Sequence, residues 1–139
     1  MSYEIMQHPA DAKFRASGET KEEAFSEAVR AFADIVGGEA GKQVHTIEVN
    51  SESLESLLFD MLDELIFLQD TENVVVSHAD EMSLKHAEDG SWRLDADIKT
   101  NKILPDVNKL DVKGPTYSEM EIKYIQGEGT WVLVCVIDI

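Results

Sequence analysis

Cysteine is nearly absent from this chain: Cys135 is the only one in 139 residues. A lone thiol forms no intramolecular disulfide, and inside an apolar strand it fits a reducing compartment. Nothing in its neighbourhood marks it as an activated nucleophile. The chain also has no glycine-rich phosphate loop, no CxxC pair and no strand-turn-helix elbow around a serine. No run is apolar for long enough to span a bilayer. Met1-Ser2-Tyr3-Glu4-Ile5 lacks the basic start and apolar stretch of a signal peptide, so a cytoplasmic location is expected. Basic residues are scarce, 12 against 28 acidic, for a net charge of −16. That surface repels phosphate backbones, and direct nucleic-acid binding is not expected. It suits solubility, cation binding or docking onto a basic protein, and a salt-rich cytoplasm would favour the same excess.

What is present fits one domain with a core of its own: 43 % of the residues are hydrophobic and no linker or repeat divides the chain. A strand is expected from Tyr3 to His8, a turn through Pro9-Ala10-Asp11, and a second strand over Lys13 to Ser17, where apolar and polar residues alternate. Thr20-Lys21-Glu22-Glu23 reads as a capping box. Phe25, Ala28, Val29, Phe32 and Ile35 follow at helical spacing up to Gly37-Gly38. After a short strand over Val44 to Asn50, Leu54, Leu57, Leu58, Met61, Leu62, Leu65, Ile66 and Leu68 form one wide helical stripe. The opposite face is acidic, as suits packing on a sheet; a membrane-surface helix is usually basic there.

Beyond Asn73 the period changes to two. Val74 to Val76 opens a strand, Met82, Leu84 and His86 alternate with polar residues, and Asp89-Gly90 marks a hairpin turn. Trp92, Leu94, Ala96 and Ile98 share one face of the return strand. A polar connection is expected from about Thr100 to Ser118, then a strand through Met120, Ile122 and Tyr124, and a last strand from Thr130 to Ile139. The order ββαβα followed by strands predicts an α+β domain, two helices covering one face of a largely antiparallel sheet.

Few residues offer chemistry. In the last strand Val132, Val134, Val136 and Asp138 alternate onto one face. A charge continuing a valine row needs a rim position or a partner. With the terminal carboxylate of Ile139 beside it, Asp138 could begin a hard-cation site; a solvated aspartate at a frayed end fits the same residues. His8 and Asp11 flank a turn and could face one ion or substrate, or simply shape the turn. Lys113, beside Gly114-Pro115, reads either as loop surface or as a positioned charge. His45, His78 and His86 lack metal-ligand spacing.

Several segments together resemble the archease family, small proteins that assist RtcB-type tRNA-splicing ligases. His8-Pro9-Ala10-Asp11-Ala12 resembles the family's His-Thr-Ala-Asp motif, and Gly18-Glu19-Thr20 its Gly-x-Thr helix start. The stretch from Asp63-Glu64-Leu65 through Phe67-Leu68 to Asp70-Thr71-Glu72 is similar to its Asn-Glu-Leu-x-Tyr-Leu-x-Asp-Thr-Glu signature. Val112-Lys113-Gly114-Pro115-Thr116-Tyr117 resembles Val-Lys-Ala-x-Thr-Tyr, and Ile137-Asp138-Ile139 the hydrophobic-Asp-hydrophobic ending. Pro9 and Ser118 depart from the usual threonine and histidine, and Gly114-Pro115 is stiffer than the usual pair.

The resemblance implies an archease-like fold and a divalent cation held by Asp11, Asp138 and Ile139, Ca²⁺ first and Mg²⁺ or Mn²⁺ as alternatives. Lys113, with His8 nearby, is implied in activating a partner. The implied function is that of a non-catalytic accessory protein for an RtcB-type RNA ligase, promoting its guanylylation by GTP and multiple turnover in tRNA splicing. The rival is a general chaperone or interaction module for RNA-processing and modification enzymes. A metal-dependent hydrolase built on Asp11, Asp138 and His8 ranks below both, since no nucleophile or phosphate cradle accompanies the carboxylates.

Overall fold

The structure is a computed structural model describing residues 1–8, 11–38, 40–103 and 111–139, with residues 6–8 as backbone only. The expected element order holds: β1 (Ser2–His8), β2 (Asp11–Gly18), α1 (Lys21–Val36), β3 (Gln43–Ser51), α2 (Leu54–Glu72), β4 (Val74–His86), β5 (Trp92–Lys102), β6 (Gly114–Ile125) and β7 (Thr130–Asp138). The domain is α+β, but its strands form two antiparallel sheets instead of one. One has the order β1-β2-β7-β6 and the other β3-β5-β4. A period of two states which face of a strand is buried; it does not state which strand lies beside it.

Both helices bridge the two sheets. Helix α1 packs on β1, β2 and β7 and also on β4, and α2 packs on β6 as well as β3, β4 and β5. Their apolar stripes, with Phe25, Phe32, Leu57, Leu58, Met61, Leu62 and Leu65 wholly buried, supply much of the core. Thr20 caps α1 by accepting from the Glu23 amide at 3.1 Å. The Glu23 carboxylate reaches one residue further back than a capping box requires and accepts from the Glu19 amide at 2.8 Å. Helix α2 carries the reciprocal box, with Ser53 and Ser56 each accepting the other's amide at 3.0 Å. Gly37 ends α1 at φ 88°, and a Cβ on Gly38 would run into the Val76 carbonyl, so the chain passes β4 too closely for any side chain.

Asn73 ends α2 in the left-handed region. The buried Gln69 side chain then accepts from the amide of the fully buried Val76 at 2.9 Å, tying the helix end to β4. Gln69→Leu should cost about 1–3 kcal/mol in denaturant unfolding, because it orphans a buried N–H. A change under half a kcal/mol, roughly, would mean that water replaces the amide.

The polar connection expected over Thr100 to Ser118 is shorter at both ends. Strand β5 runs to Lys102, and Gly114-Pro115 opens β6 instead of making a turn. Proline is tolerated there because β6 is an edge strand. The broken periodicity between Val76 and Met82 also has a cause. Strand β4 continues through it with register shifts at Val76/His78 and Asp80/Ser83, and Glu81 sits at φ 54°.

Strand β7 is central, and Val132 to Ile137 are all buried. Cys135 is fully buried, and burial pushes its thiol up to about 12. It should therefore resist iodoacetamide at pH 8 in the native protein and react once unfolded. Fast native alkylation would mean that β7 opens readily.

Candidate functional site

The residues that the sequence singles out at opposite ends of the chain meet at one end of the four-stranded sheet. Asp11 is the first residue of β2 and Asp138 the last of β7, and the antiparallel register sets them directly opposite one another. Across the other edge of β7, Asp138 pairs with Gly114, and the Lys113 amide donates to the Asp138 carbonyl at 2.8 Å. The β1–β2 hairpin puts His8 at the register position opposite Asp11; the His8 side chain, with Pro9 and Ala10, lies outside the described residues. The row across the sheet end is thus His8, Asp11, Asp138 and Gly114, with Ile139 next along the chain.

Directly opposed residues share a sheet face with Cβ atoms about 5 Å apart, and like charges in that position repel. Asp11 and Asp138 are both half-buried, which strengthens the repulsion. A hard divalent cation would relieve it, and carboxylate plus main-chain oxygens are the donors it takes. Two carboxylates are a minimal set. Among the described residues no group of three or more His, Cys, Asp or Glu side chains could hold a metal. A cation here would complete its shell with main-chain oxygen at Ile139, with water or with a partner's oxygens.

Lys113 is exposed, and its side chain makes no ion pair among the described residues. Its amide fixes its main chain beside Asp138. Lys113 is thus an exposed residue just before β6, with its main chain held on β7. Nearby on β6, Tyr117 is exposed and stacks on Phe59 of α2, ring centroids 4.4 Å apart at 7°. Sequence periodicity gave no sign of that stack, since stripe and alternation patterns report core faces only.

The three remaining histidines do not join the site. His78 bonds Ser77 Oγ at 2.9 Å and lies 3.6 Å from Asp80, and His86 stacks on Trp92 at 4.1 Å. His45 Nε2 is buried without a hydrogen-bond partner.

No helix of the described residues is long and apolar enough to cross a membrane.

The family model for the Archease protein family (MTH1598/TM1083) matches residues 3–139. The protein archease of Pyrococcus abyssi is 34 % identical over 142 residues, covering 99 % of this chain and 98 % of that protein. That of Methanosarcina mazei is 32 % identical, covering 99 % and 95 %. The solution structure of Methanobacterium thermoautotrophicum protein 1598 superposes with a TM-score of 0.80 at 29 % identity, covering 99 % of this chain and 98 % of that one. The Thermotoga maritima archease, described as a possible chaperone, shares the fold at a TM-score of 0.62 and 19 % identity, covering 96 % and 94 %. With the family model matching residues 3–139, the chain belongs to the archease family.

Proposed function

We propose that this protein is a non-catalytic accessory factor of an RtcB-type RNA ligase, promoting guanylylation of the ligase by GTP and so its repeated turnover in tRNA splicing. The observation that carries the reading is the pairing of Asp11 with Asp138 beside Lys113, whose main chain is anchored on Asp138 and whose ammonium makes no ion pair among the described residues. The tip would hold a divalent cation, Ca²⁺ by preference, through Asp11, Asp138 and main-chain oxygen at Ile139. Bound there, the cation supplies positive charge and coordination sites for phosphate oxygens. The chain's own groups do the rest. The aspartates set the position of the charge, the sheet end keeps them rigid, and Lys113 reaches toward an anionic group on the partner. The net charge of −16 favours approach to a basic, RNA-binding protein.

The test is ligase guanylylation with labelled GTP, with this protein at substoichiometric amounts. Stimulation well beyond one turnover per molecule supports the reading. No stimulation of the cognate ligase, together with protection of several unrelated RNA-modification enzymes from aggregation, would replace it with the general chaperone reading.

A further inference from the structure

The chain's two tryptophans, Trp92 and Trp131, lie at the other end of the molecule from the aspartate pair. Trp131 pairs with Gly18 where Asp138 pairs with Asp11, so about 23 Å of strand separates the two ends at 3.3 Å per residue. Trp92 begins β5 in one sheet and Trp131 belongs to β7 in the other. Across the seam between them sits the Lys21 ammonium, 4.7 Å from the Trp131 ring centroid and 5.7 Å from that of Trp92. His86 stacks on Trp92, and the half-exposed Tyr124 tilts against Trp131 at 5.4 Å.

Two features of Lys21 are unusual. It stands at the first position of α1, where the helix dipole disfavours a cation. In a chain with 28 acidic residues it also has no carboxylate partner among the described residues, and takes two indole faces instead. Glu52, which follows the Ser51 paired with Trp92, and Asp89-Gly90-Ser91, the turn that leads into Trp92, line a hollow of about 330 Å³ at the same strand ends. Ser91 donates to Asp89 through both its amide and its hydroxyl, at 2.9 and 2.6 Å, which fixes that carboxylate at the rim.

We propose that this end is a second recognition surface, an aromatic box with an acidic rim that takes an arginine or lysine side chain from a basic segment of a partner protein, with Lys21 as the tethered cation that the guest displaces. The two indoles supply the faces, and Glu52 and Asp89 the countercharge. The same rim excludes nucleic acid. The surface stands independently of the aspartate end and of the ligase reading.

The test is calorimetric titration of the intact protein with a hexa-arginine peptide at physiological salt, with intrinsic fluorescence recorded in parallel because both tryptophans are in the box. Wild type should bind with a change in tryptophan emission. Lys21→Ala should bind roughly two- to fivefold tighter, since it removes the competing internal cation, and Trp131→Leu weaker by a similar factor or more. Glu52→Gln with Asp89→Asn should weaken binding, while Asp11→Asn with Asp138→Asn at the far end should leave it unchanged. Equal or weaker binding by Lys21→Ala would overturn the proposal whether or not Trp131→Leu folds. So would equal weakening by the far-end pair, which would reduce the attraction to bulk charge.

Discussion

Asp138→Ala should abolish stimulation of the ligase while leaving the fold intact, and should make the cation-free protein slightly more stable. Both effects follow from one pairing. In the absence of a cation Asp138 and Asp11 stand at directly opposed register positions across the ladder, where a like-charge pair destabilises by a few tenths to about 1 kcal/mol. Removing one charge releases that strain, and the Lys113–Asp138 main-chain hydrogen bond does not depend on the side chain. With Ca²⁺ added, wild type should gain thermal stability as mass action predicts, and Asp138→Ala should gain none. Lys113→Ala separates the two roles: it should keep the Ca²⁺-induced shift and lose the stimulation. Thermal unfolding with and without Ca²⁺, run beside the guanylylation assay, reads all three. Full stimulation by a folded Asp138→Ala protein would sink the ligase reading at this site. A Ca²⁺ shift that survives in the variant would move the cation elsewhere.

The second large effect is on stability. Phe32 is wholly buried on α1, the helix that touches β1, β2 and β7 of one sheet and β4 of the other. Phe32→Ala should cost about 3–5 kcal/mol, the transfer term plus the cavity left where two sheets constrain relaxation. Against a typical total of about 5–15 kcal/mol, that should lower Tm on the order of 10 °C or more. Phe67 on α2 provides the control, since it is 60 % exposed and Phe67→Ala should change stability by no more than about 0.5 kcal/mol. Chemical denaturation of both variants checks the contrast. A Phe32→Ala cost below about 1.5 kcal/mol would show that the sheets hold together without α1.

Local structure was legible in the sequence because its causes are local. Thr20 announced the start of α1 and Gly37 its end, and both act through neighbouring backbone groups. The stripe of leucines on α2 and the alternation in β5 named the buried faces correctly, with Leu94, Ala96 and Ile98 all in the core. The family motifs added order along the chain, and the full-length family match agrees with them.

Pairing was not legible. Nothing in Asp11 or Asp138 alone states that they are opposite, and either one read by itself is an ordinary turn or terminal aspartate. The division of the strands into two sheets, the continuation of β4 through its bulges, and the conversion of Gly114-Pro115 from turn to strand are all decided by which neighbour supplies hydrogen bonds. The same holds for Lys21, whose two indole partners come from different sheets. The sequence by itself determined the elements, their buried faces, the acidic surface and the family. Only the tertiary structure decided which side chains meet, because register and sheet order arise from contacts between segments far apart in the chain.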